Sequence, residues 1–91
     1  MDEIRAKRAR FRAWRRGFRE ADLILGPFAD RHVPGMDEAV LAQFERLLDL
    51  PDHDVYGWIT GTLPVPAAFD DDLMRQLQAF RPSDTPIKDI T

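Results

Sequence analysis

Arg16, Gly17 and Glu20 fall within five residues of one another and are the groups in this chain best suited to gripping another molecule. Arginine carries a planar fork of N–H donors that matches carboxylates or carbonyls, and glutamate offers the complementary acceptor. Glycine has no side chain, so a foreign group can approach the main chain closely between them. Arg12, Arg15 and Arg19 add cations around this stretch, and Asp22 adds an anion. Within the fold, Arg16 and Glu20 at i,i+4 would form a surface ion pair worth only about 0.3–0.5 kcal/mol. Opposed charges flanking bare backbone suit a modest, wet protein interface.

Other chemistries find less to work with. The chain has no cysteine, which removes disulfides, thiol nucleophiles and thiolate metal sites. His32 and His53 are the only histidines and lack the i,i+4 spacing of a helical zinc site, so both read as surface or capping residues. Asp70, Asp71 and Asp72 suit the positive end of a helix dipole better than a cation. Ser83, the only serine, has no histidine arranged to activate it, and no phosphate-cradling glycine loop occurs. Carboxylates are plentiful, yet nothing supplies a buried pocket to tune one. The chain therefore reads as a binding protein rather than an enzyme.

Its 91 residues make one small domain with room for a single core and a surface patch. No apolar run approaches the ~20 residues that span a bilayer. The net charge of −3 conceals an asymmetry: residues 1–20 hold eight of the thirteen Lys and Arg against three acids. That end should meet an acidic surface first. Asp2, Glu3 and Glu20 interrupt the basic run, and residues 1–20 contain no serine, which argues against a mitochondrial presequence. The alternative reading is a basic-helix module for nucleic acid or another acidic protein. Phe11 and Trp14 could stack on bases, but their spacing with Ile4 assigns them to the core, and the acidic remainder would repel a polyanion.

The elements that position these groups read as helices throughout. A first helix is expected over 2–16, with Ile4, Phe11, Trp14 and Phe18 on one face and Gly17 as a left-handed stop. A second runs from about Phe18 to His32, with Leu23, Ile24, Leu25, Phe28 and Ala29 inward and a kink at Pro27. Asp37 caps a third helix to about Asp49, carrying Val40, Leu41, Phe44, Leu47 and Leu48. Asp52 caps a fourth, with Val55, Trp58 and Ile59 on one face and Gly61 closing it. A last helix covers 67–80, using Phe69, Leu73, Leu77 and Phe80. The expected architecture is all-α, a small five-helix bundle formed by one domain over 1–81, with a flexible tail over 82–91.

Arg16-Gly17-Phe18-Arg19-Glu20 resembles the Arg-Gly-x-x-Glu motif of the SdhE family, the flavinylation factors of succinate dehydrogenase, and Asp22 matches an acidic position that commonly follows. Leu25-Gly26-Pro27-Phe28-Ala29-Asp30 resembles the family's second helix, and Leu47-Leu48-Asp49 through Asp52, Asp54 and Trp58 its third-to-fourth helix segment. The resemblance implies a five-helix fold and a role as an assembly chaperone. Such a chaperone binds the flavoprotein subunit of succinate dehydrogenase, in some bacteria also fumarate reductase, and promotes covalent attachment of FAD to it. It implies that Arg16, Gly17 and Glu20 contact the partner near its flavin site; charge and position extend the patch to Arg12, Arg15, Arg19 and Asp22. The expectation that goes with it is a chain without catalytic residues, without tightly bound FAD, metal, nucleic acid or membrane, monomeric when free and cytoplasmic in a bacterium.

Overall fold

The computed structural model describes residues 3–80, so the tail expected over 82–91 lies outside the described residues. Five α-helices follow one another: α1 Glu3–Trp14, α2 Arg19–His32, α3 Glu38–Leu48, α4 Asp52–Thr60 and α5 Asp72–Ala79. Single 3-10 turns occupy Val33–Gly35 and Ala67–Phe69, and the described residues contain no strand. The expected small all-α bundle is the fold that forms. Its centre is Phe28, fully buried on α2, which meets Phe44 of α3 at 6.0 Å and Phe80 edge-on at 5.5 Å between ring centroids. Leu25, Leu41, Leu47, Val55 and Leu77 close around it.

Capping explains several boundaries. The Asp37 carboxylate accepts a hydrogen bond from Val40 N at 2.9 Å and starts α3 as expected. Gly61 takes φ +88° and ends α4. Pro51, with extended ψ, precedes α4, so Asp52 is its first helical residue and not its cap. The last helix is shorter than the 67–80 expected. Asp71 adopts extended backbone and its carboxylate caps Met74 N at 3.0 Å, which restarts the chain as a separate helix after the Ala67–Phe69 turn. Helix α2 runs unbroken through Pro27. The residue whose carbonyl loses its partner there, Leu23, is exposed, so water can serve it.

The first helix overturns an expectation. Its inward face is Ala6, Ala9 and Ala13, while Ile4, Phe11 and Trp14 are 65%, 59% and 40% exposed. Ala21, Gly26 and Ala29 of α2 are likewise buried. Small residues on both helices permit an approach that leaves no room for rings between them. Phe18 is not on α1 at all; it precedes α2, half-buried against the rings of His53 at 4.8 Å and Tyr56 at 5.1 Å. Leu23 and Val40 also face outward rather than into the core, and Trp58 and Phe69 stack on each other half-buried at its edge.

Trp14 closes the α1–α2 contact from outside. Its indole lies over Gly26, where a Cβ would come within 2.3 Å of the ring, and its Nε1–H donates to Asp30 Oδ2 at 3.0 Å. Gly26→Ala is expected to displace the indole and cost about 1–2 kcal/mol. Trp14→Ala should remove most of that penalty, so thermal melts of the two single variants and the double should be strongly non-additive.

His32 stacks on Phe28 at 4.4 Å, and burial, then the neighbouring Arg31 charge, holds its imidazole below the ordinary value of 6.5. A base with a depressed folded pKa binds protons more readily when unfolded, so its contribution is complete above pH 6.5 and is lost as pH falls below it. The urea midpoint should fall between pH 7 and 5.5, and His32→Gln should flatten that slope.

Candidate docking site at the junction of the first two helices

After Trp14 the chain turns within four residues. Arg15 N donates to Arg12 O at 3.1 Å, Gly17 takes φ +92°, and Phe18 is extended before α2 begins. Glycine tolerates this left-handed conformation without a Cβ penalty. Helix α1 ends at Trp14, short of the expected Arg16, so Gly17 shapes the turn into α2 rather than stopping α1. Asp22 secures the turn by accepting from Arg16 N at 2.9 Å.

Arg16 points inward. Its side chain is only 5% exposed and reaches across to the α3–α4 connection. Nη1 donates to Leu48 O at 2.8 Å and Nη2 to Leu50 O at 2.6 Å, while Nε lies 2.6 Å from Asp52 Oδ1, off the line of a good hydrogen bond. These carbonyls belong to the end of α3 and the loop beyond, where backbone acceptors lack helical partners. The expected Arg16–Glu20 surface pair therefore does not form, because the guanidinium is engaged with these acceptors.

The seven residues singled out from sequence divide into two groups. Arg16 and Asp22 fasten the junction from within, and Arg12 is ion-paired to Asp49 of the same loop. Arg15, Gly17, Arg19 and Glu20 are exposed around the turn. A Cβ built on Gly17 meets nothing within 4 Å, so bare backbone faces open space. The Arg15 guanidinium sits 4.5 Å above the centre of the Phe11 ring. An open cleft of about 510 Å³ lies alongside, bounded by Phe11, Arg12, Arg15, Leu50 and Asp52 among others.

A second ionic cluster braces α1 against α3. Arg5 pairs with Glu38 and Glu45, its Nη2 lying 2.7 Å from Glu45 Oε1. Hydrogen bonding to Glu45, then Glu38, raises the Arg5 pKa, and the same bond holds the Glu45 carboxyl below its ordinary value. Among the described residues no group of three His, Cys, Asp or Glu is placed to hold a metal ion.

Phe11 and Trp14 are among the residues whose placement departs from the sequence expectation. Their exposure withdraws the burial argument against base stacking; the flanking carboxylates of Glu20, Asp30 and Asp49 remain as the argument against a polyanion. The available signal was the Ala6, Ala9, Ala13 stripe, spaced i, i+3, i+7 and rotated away from the aromatics.

This is a small helical protein whose charged Arg-Gly turn is locked from beneath and open above. The chain belongs to the family described as the flavinator of succinate dehydrogenase, whose model matches residues 7–81. It is similar to "succinate dehydrogenase assembly factor 2, mitochondrial" of Danio rerio, 34% identical over 80 residues, covering 86% of this chain and 51% of that protein. The proteins of the same name from Mycosarcoma maydis and Debaryomyces hansenii are 38% identical over 65 residues and 41% over 61, covering 71% and 65% of this chain. Those matches take in 27% and 43% of the relatives, so the chain spans about half or less of each of these three. Among the described residues no helix is long and apolar enough to cross a membrane.

Proposed function

We propose that this chain is an assembly chaperone that binds the flavoprotein subunit of succinate dehydrogenase and promotes covalent attachment of FAD to it, with fumarate reductase as a related client. The observation that carries the reading is Gly17: exposed, left-handed and bare, between exposed Arg15, Arg19 and Glu20. Family membership supports the partner class, and the exposed turn offers a surface on which to seat it. Arg15, Gly17, Arg19 and Glu20 touch the partner in this reading, while Arg16, Arg12 and Asp22 hold the turn in shape. The flavin and the residue that bonds to it belong to the partner. The chaperone works as a free monomer without catalytic residues or a tightly held FAD, stabilising the arrangement in which flavin and acceptor side chain align. Its relatives carry a mitochondrial name, and the compartment proposed for this chain is the bacterial cytoplasm, a reading supported by the acids that interrupt its basic N-terminal run.

The test is reconstitution. Purified flavoprotein lacking covalent flavin is incubated with FAD, with and without the chain, and denatured before in-gel flavin fluorescence is read. Fluorescence should rise with the chain present; no rise with a competent flavoprotein would overturn the reading.

A further inference from the structure

Helix α1 sorts its arginines by face. Arg5, Arg12 and, just past its end, Arg16 have carboxylate partners on α3, on α4 or in the loop between them. Arg8, Phe11 and Arg15, spaced i, i+3 and i+7, form a separate stripe that is exposed along its length. Among the described residues, neither Arg8, Arg15 nor the nearby Arg19 has a carboxylate within ion-pair distance. Trp14 borders the stripe, and Leu23, one turn before the Gly26 that Trp14 covers, is also exposed. Cations that form no ion pair among the described residues therefore alternate with uncovered apolar side chains over about 10 Å along α1 and just past its end, up to the Gly17 turn.

We propose that the Arg8–Phe11–Arg15 stripe is a second part of the docking surface and takes an acidic segment of the flavoprotein, one carrying an apolar side chain beside its carboxylates. The inference rests on the chaperone reading and extends its contact surface along α1. Charge complementarity selects the occupant. Among the described residues the three arginines form no ion pair, so an approaching carboxylate gains attraction without displacing an existing pair there. The Arg15 guanidinium lies 4.5 Å from the centre of the Phe11 ring, and a guanidinium is a planar fork that can bind a carboxylate bidentately. Phe11 supplies the apolar anchor that such interfaces place beside charged groups. A nucleic acid would need a longer cationic track, and Asp49 in the adjoining cleft and Asp30 beneath Trp14 interrupt it.

The experiment measures affinity of the full chain for the unflavinylated flavoprotein by calorimetry at low and moderate salt. Arg8→Glu/Arg15→Glu should weaken binding roughly tenfold or more, and Phe11→Ala roughly threefold, with helical circular dichroism unchanged because these side chains are exposed. Arg75→Glu, a matched charge reversal on α5, should bind as the parent does. Binding by the parent should weaken with salt. Phe11→p-benzoylphenylalanine should photocrosslink to an acidic segment of the flavoprotein. Parent binding with an undiminished double reversal would overturn the stripe and leave the chaperone reading standing. So would loss of duplex DNA binding in the double reversal while flavoprotein affinity stays the same, since that assigns the stripe to a polyanion. Failure of the parent chain itself to bind the flavoprotein would overturn both.

Discussion

Arg16→Met is expected to destabilise the fold by about 2–4 kcal/mol, a large share of the roughly 5–15 kcal/mol that holds a small domain together. Methionine keeps the length of the stem and much of its apolar contact. What it loses is the charged fork that satisfies Leu48 O, Leu50 O and the Asp52 carboxylate at once. Removing one side of a buried, charge-assisted set leaves the other side desolvated and unmatched, which costs more than the net worth of the bonds. Arg16→Lys should recover only part of the loss, because a single ammonium does not reproduce the planar fork across both carbonyls. Urea unfolding followed by circular dichroism measures both. A Met variant within 0.5 kcal/mol of the parent would mean that the buried guanidinium is idle. The consequence for docking follows from geometry: Arg16 is the neighbour of Gly17, so slackening its clamp frees the turn that presents the glycine. Flavin attachment should therefore fall in Arg16→Met even at temperatures where the chain stays helical.

Where the chain encodes structure by period or by local hydrogen bonding, the sequence was legible. Leu41, Phe44, Leu47 and Leu48 are buried at the spacing that announces α3, and Asp37 caps it; Gly61 takes the left-handed conformation that ends α4, and Gly17 the one that turns the chain from α1 into α2. The first helix departs from its expected packing because bulk and burial part company there. Its contact with α2 is made by alanines, whose small side chains let the backbones close up, and the larger Ile4, Phe11 and Trp14 are left outside. A stripe of small residues has the same period as a stripe of large ones, so periodicity alone did not decide between them. Arg16 was illegible for a different reason. Its partners lie 32 to 36 positions further on, and long-range ionic contacts carry no local signature. Asp52, whose position suggests a cap, is instead its counter-ion. The consequence reaches the candidate site: the motif's arginine and its glycine have separate tasks, one facing the core of the junction and one facing solvent.

That separation gives Gly17→Arg its meaning. The substitution is expected to reduce flavin attachment about tenfold or more while the helical spectrum and most of the stability survive. Two effects enter. An L-residue at φ +92° costs roughly 1–2 kcal/mol, which the fold can absorb. A Cβ there meets nothing within 4 Å, so the new side chain starts out into the space above the turn that the partner would occupy. Gly17→Ala carries a similar backbone cost and adds a single methyl group, and it separates the two effects. If bulk at the interface is decisive, Ala should retain most of the flavin attachment and Arg very little, at nearly equal thermal midpoints. If strain is decisive, both variants should lose activity in step with their melting temperatures. Parent-level flavin attachment by Gly17→Arg would remove the turn from the contact surface altogether, because a seven-atom side chain over the open backbone is incompatible with close approach there.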